Sequence, residues 1–196
     1  MAEGTTVPAG MLRSRRPWAE RIFGHDVFLS FALGDPPRGS SAYASDLARR
    51  LQARDLGVYF SEEHLEYGDS LTATLTTALR RSRLLVVIVN AATLADPRWI
   101  ELEVKNFRKL RPRAPIVAIG LDDALGRLAQ EKAPRGWHGF HESKFLGVLP
   151  GTHMASESTV DDIVAMVGRR RANLAWRVTV GLVIAGLLML VALAWR

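Results

Sequence analysis

The apolar positions of this chain follow two rhythms. Short runs such as Leu84 to Val89 are unbroken and rich in β-branched residues, the mark of a strand buried on both faces of a parallel sheet. Between such runs, apolar residues recur every three or four positions, as in helices with one buried stripe. In order, the pattern predicts a strand over 25–32, a helix over about 40–54 carrying Tyr43, Leu47 and Leu51, and a strand over 57–60. An acidic loop over 61–69 follows, and then a helix capped by Asp69 or Ser70 with Leu71, Leu75, Ala78 and Leu79 on one side. After the Leu84–Val89 strand come a polar connection and a helix opened by Asp96 as N-cap and Pro97 as first helical residue. Residues 114–120 form a fourth strand, 121–136 a short helix at most, and 137–149 an irregular aromatic stretch with a short fifth strand. A last helix over 159–167 carries Val160, Ile163, Val164 and Val167.

Strand alternates with helix throughout, which predicts an open, mostly parallel sheet with helices on both faces. In such sheets ligands bind beyond the carboxyl ends of the strands. One residue breaks the pattern at that edge. With residues at about 100° steps from Trp99, the side chains of Trp99, Leu110, Phe107, Ile100 and Val104 share one apolar arc of about 140°. Glu103 falls inside it, one turn after Trp99, with no basic residue in the arc. Glu101 falls outside, four residues before Lys105, with which it can pair. A carboxylate aimed at apolar surroundings has a raised pKa or serves a ligand; the alternative is that Glu103 sits at the edge of the arc and reaches water.

A different pattern closes the chain. Residues 178–195 carry no charge over eighteen positions, bracketed by Trp176 and Trp195 and flanked by Arg177 and Arg196. At about 1.5 Å per residue the segment spans about 27 Å, close to the hydrocarbon thickness of a bilayer. Interfacial tryptophans and flanking arginines predict a single membrane-spanning helix, with the arginine-rich side and the preceding domain facing the cytoplasm.

Charge is informative mainly through its placement. The 196 residues carry a formal net charge of +6, much of it in Arg13, Arg15, Arg16 and Arg21 and in Arg169 to Arg171 with Arg177. Residues 1–23 read as a mobile basic arm without a secretory-signal core, and 169–177 as a basic juxtamembrane segment. Arginines that border a membrane segment need no nucleic-acid partner, so none is expected. Cysteine is absent, which removes disulfides and thiolate zinc sites. The Leu33–Ser41 loop lacks the Gly-Lys-Ser/Thr of a P-loop. His138 and His141 beside Glu142 lack further ligands, so no metal is expected.

Several stretches together resemble the Toll/interleukin-1 receptor (TIR) domain family, in particular its bacterial members, over about residues 24–168. They are Asp26-Val27-Phe28-Leu29-Ser30-Phe31, then Gly57-Val58-Tyr59-Phe60 followed by Leu65-Glu66-Tyr67-Gly68-Asp69, then Leu84 to Asn90, and Trp99-Ile100-Glu101-Leu102-Glu103 as a Trp-x-x-x-Glu motif. Many members carry cysteine where Ile100 stands, serine where Asn90 stands and a basic or polar residue where Ala32 stands; the acidic residue after the second strand is Glu62, one place late.

The resemblance implies a flavodoxin-like sheet of about five strands in the order 2-1-3-4-5. It implies cleavage of NAD⁺ at the nicotinamide–ribose bond, with NAD⁺ as substrate and no resident cofactor. Glu103 matches the essential glutamate, and Trp99, Ser30, Phe31 and Ala32 stand where substrate would lie. Activity is implied only on self-association, in which the BB loop of one copy, here with Glu62, Leu65, Tyr67, Gly68 and Asp69, completes the pocket of another. Two functions are thus expected: a membrane-tethered NAD⁺ glycohydrolase in bacterial defence or cell-death signalling, or a non-catalytic adaptor that assembles with other TIR domains.

Overall fold

The computed structural model describes residues 24–32, 34, 39–60, 73–122, 124, 144–147 and 154–168, with the isolated residues 179, 184 and 189 beyond them. The chain divides into two compact units, Met1–Val160 and Asp161–Arg196. Within the first, a parallel sheet is built from β1 (Val27–Ser30), β2 (Val58–Phe60), β3 (Leu84–Val89), β4 (Ile116–Gly120) and β5 (Lys144–Gly147) in the order β2-β1-β3-β4-β5. The helices are α1 (Ser41–Ala53), α2 (Ala73–Arg81), α3 (Ala91–Ala95), α4 (Arg98–Leu110) and α5 (157–168), the unit boundary falling within α5.

Strand order decides where the helices lie. The chain steps from β1 to β2 in one direction and from β2 to β3 in the other. Right-handed crossovers therefore place α1 and α2 on opposite faces of the sheet. Alternation along the strands separates the two cores. Phe28, Leu85, Val87, Val89, Ile116 and Ala118 form one cluster with Leu75 and Leu79 of α2 and with Ile100, Val104 and Phe107 of α4. On α1, Tyr43, Ala44, Leu47, Ala48 and Leu51 are buried. Every residue of β3 is buried, as its unbroken apolar run requires of a central parallel strand.

Polar contacts tie the strand starts together. Asp26, at the head of β1, accepts from the Gly57 amide through Oδ2 at 2.9 Å and from Arg83 Nη1 through Oδ1 at 3.1 Å. It thereby links the entries to β2 and β3. Just before it, Gly24 adopts φ +77°, and a Cβ there would meet the Arg81 carbonyl oxygen at 2.2 Å. Only glycine fits both demands.

The sequence reading needs correction around the last turn before α4. Asp96 does not cap that helix. It ends α3, a short helix where a polar connection was expected, and pairs with Arg98 at 2.7 Å. The cause is Asn90, whose Oδ1 accepts from the Thr93 amide and hydroxyl, each at 2.9 Å, and so opens a helical turn straight after β3. Pro97 then takes the N-cap position. Glu101 sits in the first turn of α4, where the helix dipole favours a carboxylate, and forms no ion pair with Lys105 among the described residues.

In α5, Val160, Ile163 and Val167 are buried, as their spacing predicted, whereas Val164, expected on the same side, is half-buried. The basic arm over 1–23 and the juxtamembrane segment over 169–177 lie outside the described residues. So does the expected membrane segment over 178–195, apart from residues 179, 184 and 189, which are helical, with Ile184 and Met189 exposed. Among the described residues no helix is long and apolar enough to cross a membrane.

Gly24→Ala is expected to destabilise the fold by about 2 kcal/mol or more, from left-handed backbone strain plus the clash with Arg81. Urea unfolding checks this: the midpoint should fall with an unchanged slope.

Candidate active site

The site is assembled where α4 crosses the carboxyl ends of β1 and β3. Ser30 is the last residue of β1 and lies in register with Val87 of β3. Its side chain therefore shares the face of Phe28 and Val87, the face that α4 covers. From α4, Glu103 points into the same layer between Ile100, Val104 and Phe107, and all four are buried. Trp99, one turn earlier, is half-buried and packs against the cluster.

Glu103 is 2 % exposed. Burial pushes its carboxyl up from 4.5 to about 7, while the Ser30 hydroxyl and the Trp99 indole pull in the opposite direction. Neither Ser30 Oγ nor Glu103 Oε2 completes a hydrogen bond of ordinary geometry among the described residues. The two groups are thus near enough to act on each other but not aligned. A buried polar atom left so costs about 1–3 kcal/mol. No charged side chain contributes to the shift. The raised value comes from desolvation alone, not from a neighbouring carboxylate.

The other expected site residues divide. Phe31 is fully buried and stacks on Phe60, with ring centroids 4.9 Å apart and 15° between planes. Its contact is packing with the residue that ends β2. Ala32 is half-buried, and its carbonyl accepts from the Ser40 amide at 2.9 Å at the rim. Tyr59 is half-buried, stacked on Phe28 and tilted against His25. Glu62, Leu65, Tyr67, Gly68 and Asp69 lie outside the described residues, as do His138, His141 and Glu142. Among the described residues no group of side chains could hold a metal ion.

One buried polar residue passed unread in the sequence as a structural device. Asn90 shapes the approach to α4 through its cap on α3. Its position directly after an apolar strand and three residues before a threonine was the available signal.

Sheet order and a desolvated carboxylate at the carboxyl rim together define a flavodoxin-like domain with a candidate acidic centre. The family model described as TIR domain matches residues 27–145, and the chain belongs to that family. Among solved structures 17 chains match. One is the structure of the activated Roq1 resistosome directly recognizing the pathogen effector XopQ (TIR domains), at 19 % identity and a TM-score of 0.43, covering 59 % of this chain and 68 % of that chain. No curated protein matches.

The raised pKa of Glu103 has a definite sign for stability. Below about 4.5 both folded and unfolded chains hold the proton. Between 4.5 and about 7 the folded chain keeps it while the unfolded chain has lost it, so stability falls as pH rises. The loss is complete above about 7 and amounts to about 3 kcal/mol. Glu103→Gln is expected to remove this slope and to exceed wild type in stability at pH 8. Thermal melts of both proteins from pH 4 to 8 check it, and parallel curves would contradict it.

Proposed function

We propose that this TIR domain hydrolyses NAD⁺ at the nicotinamide–ribose bond, with Glu103 as the catalytic residue and Trp99 and Ala32 at the substrate. One observation supports the reading above the rest: Glu103 is buried while its Oε2 has no hydrogen-bond partner among the described residues. A glutamate kept only for structure would normally give that oxygen to a protein donor.

The chemistry suits a lone carboxylate. The glycosidic bond breaks with its electron pair going to the nicotinamide nitrogen. Nicotinamide leaves neutral and needs no general acid. The ribose carbon gains oxocarbenium character, as in glycoside cleavage. The ionised Glu103 stabilises that charge from a desolvated site, where the interaction is strongest. Water then adds to the ribose carbon and releases a proton, giving ADP-ribose, nicotinamide and H⁺. The cationic pyridinium ring of NAD⁺ favours ionisation of Glu103 as it enters, which offsets the effect of burial.

The reading extends to the rest of the chain. Self-association, with the loop holding Glu62, Leu65, Tyr67, Gly68 and Asp69 closing the pocket of a second copy, switches activity on. Residues 178–195 span the bilayer once and hold the domain on its cytoplasmic side, in a bacterial defence or cell-death response.

NAD⁺ turnover measured at high protein concentration, or on liposomes that cluster the chains, tests the reaction. Wild type should release nicotinamide and Glu103→Ala should release none; release by neither leaves assembly with other TIR domains as the function. The profile of kcat/KM should rise with pH through about 7, because the ionised carboxylate is the active form. Separately, the full chain should float with vesicles in a density gradient, and a chain lacking residues 178–196 should not.

A further inference from the structure

Ser30 ends a strand whose other residues, Val27, Phe28 and Leu29, are apolar. It is 1 % exposed, so its hydroxyl has no access to bulk water. Its register with Val87 places that hydroxyl in the layer beneath α4. There it finds no hydrogen-bond partner of ordinary geometry among the described residues. One oxygen in the same layer has the matching deficit, Oε2 of Glu103. A serine hydroxyl rotates freely and can donate, and an ionised carboxylate oxygen accepts more strongly than a neutral one.

We propose that Ser30 is a positioning residue for Glu103: when the carboxyl ionises, the hydroxyl swings to donate to Oε2 and holds the carboxylate in one orientation toward the sugar. The catalytic consequence rests on the hydrolase reading, whereas the contact itself does not. The bond forms on ionisation of the carboxyl, with or without substrate, so it is open to test in the free protein. Charged groups on the neighbouring elements do not compete for the role. The polar groups that act on the Glu103 carboxyl are the Ser30 hydroxyl and the Trp99 indole, and no charged side chain is among them.

The test uses the full chain as wild type, Ser30→Ala, Glu103→Gln and the double variant. Removing an unpartnered hydroxyl leaves the fold intact, so each protein can be melted across pH. In Ser30→Ala the Glu103-dependent loss of stability should still begin near 4.5, set by the unfolded carboxyl, but the pH at which it is complete should rise by about one unit, since the ionised form has lost a donor. In the Glu103→Gln background the same serine change should leave no pH-dependent difference. In turnover, Ser30→Ala should lower kcat by about tenfold or more with KM altered far less, and the acid limb should move to higher pH. Identical pH dependence of stability in wild type and Ser30→Ala overturns the proposal, as does an unmoved acid limb. A shifted stability profile without NAD⁺ turnover in any variant keeps the Ser30–Glu103 contact and removes the hydrolase reading instead.

Discussion

The withdrawal of one carboxyl group from water organises the functional end of this domain. Glu103 is carried into the layer between α4 and the sheet because its neighbours on the helix, Ile100, Val104 and Phe107, must be buried there. The helix cannot bury that stripe without burying the acid. Desolvation then raises the carboxyl from 4.5 to about 7, which places its charge change near neutral pH. A group poised in this way can be ionised by what binds beside it, and a cationic substrate does so more readily than a neutral one.

The rest of the fold fixes where that acid stands. Asp26 joins the entries of β2 and β3 to β1 through Gly57 and Arg83, so the three strands begin at one level. Their carboxyl ends are then set by strand length. At those ends Ser30 arrives under α4, and Asn90 turns the chain through α3 into the start of α4. The order β2-β1-β3-β4-β5 brings β1 and β3 side by side. This is the place where helices leave to opposite faces and where open parallel sheets receive ligands.

Much of this was legible in the sequence. The β3 strand declared itself because a central parallel strand needs an apolar run on both faces. Glu103 declared itself because helical geometry placed it in an arc with Trp99, Ile100 and Phe107, and the structure buries it there. What was not legible depended on contacts distant in sequence or on elements too short for periodicity. Five residues from Ala91 to Ala95 show no helical repeat, so α3 read as a connection and Asp96 as the cap of the wrong helix. The stacking of Phe31 on Phe60, twenty-nine positions away in sequence and one strand over in space, could not be read from either strand alone. The placing of Ser30 in the same layer as Glu103 needed the register of β1 on β3, which a period along one strand does not contain.

The account stands on the ionisation of Glu103 inside the protein. A direct measurement is the titration of its side-chain carboxyl carbon by NMR in ¹³C-glutamate-labelled wild type, with the resonance assigned by its loss in Glu103→Gln. The account predicts a midpoint at about 7. A midpoint near 4.5, the value of a carboxyl open to water, would contradict it and return Glu103 to the solvated surface.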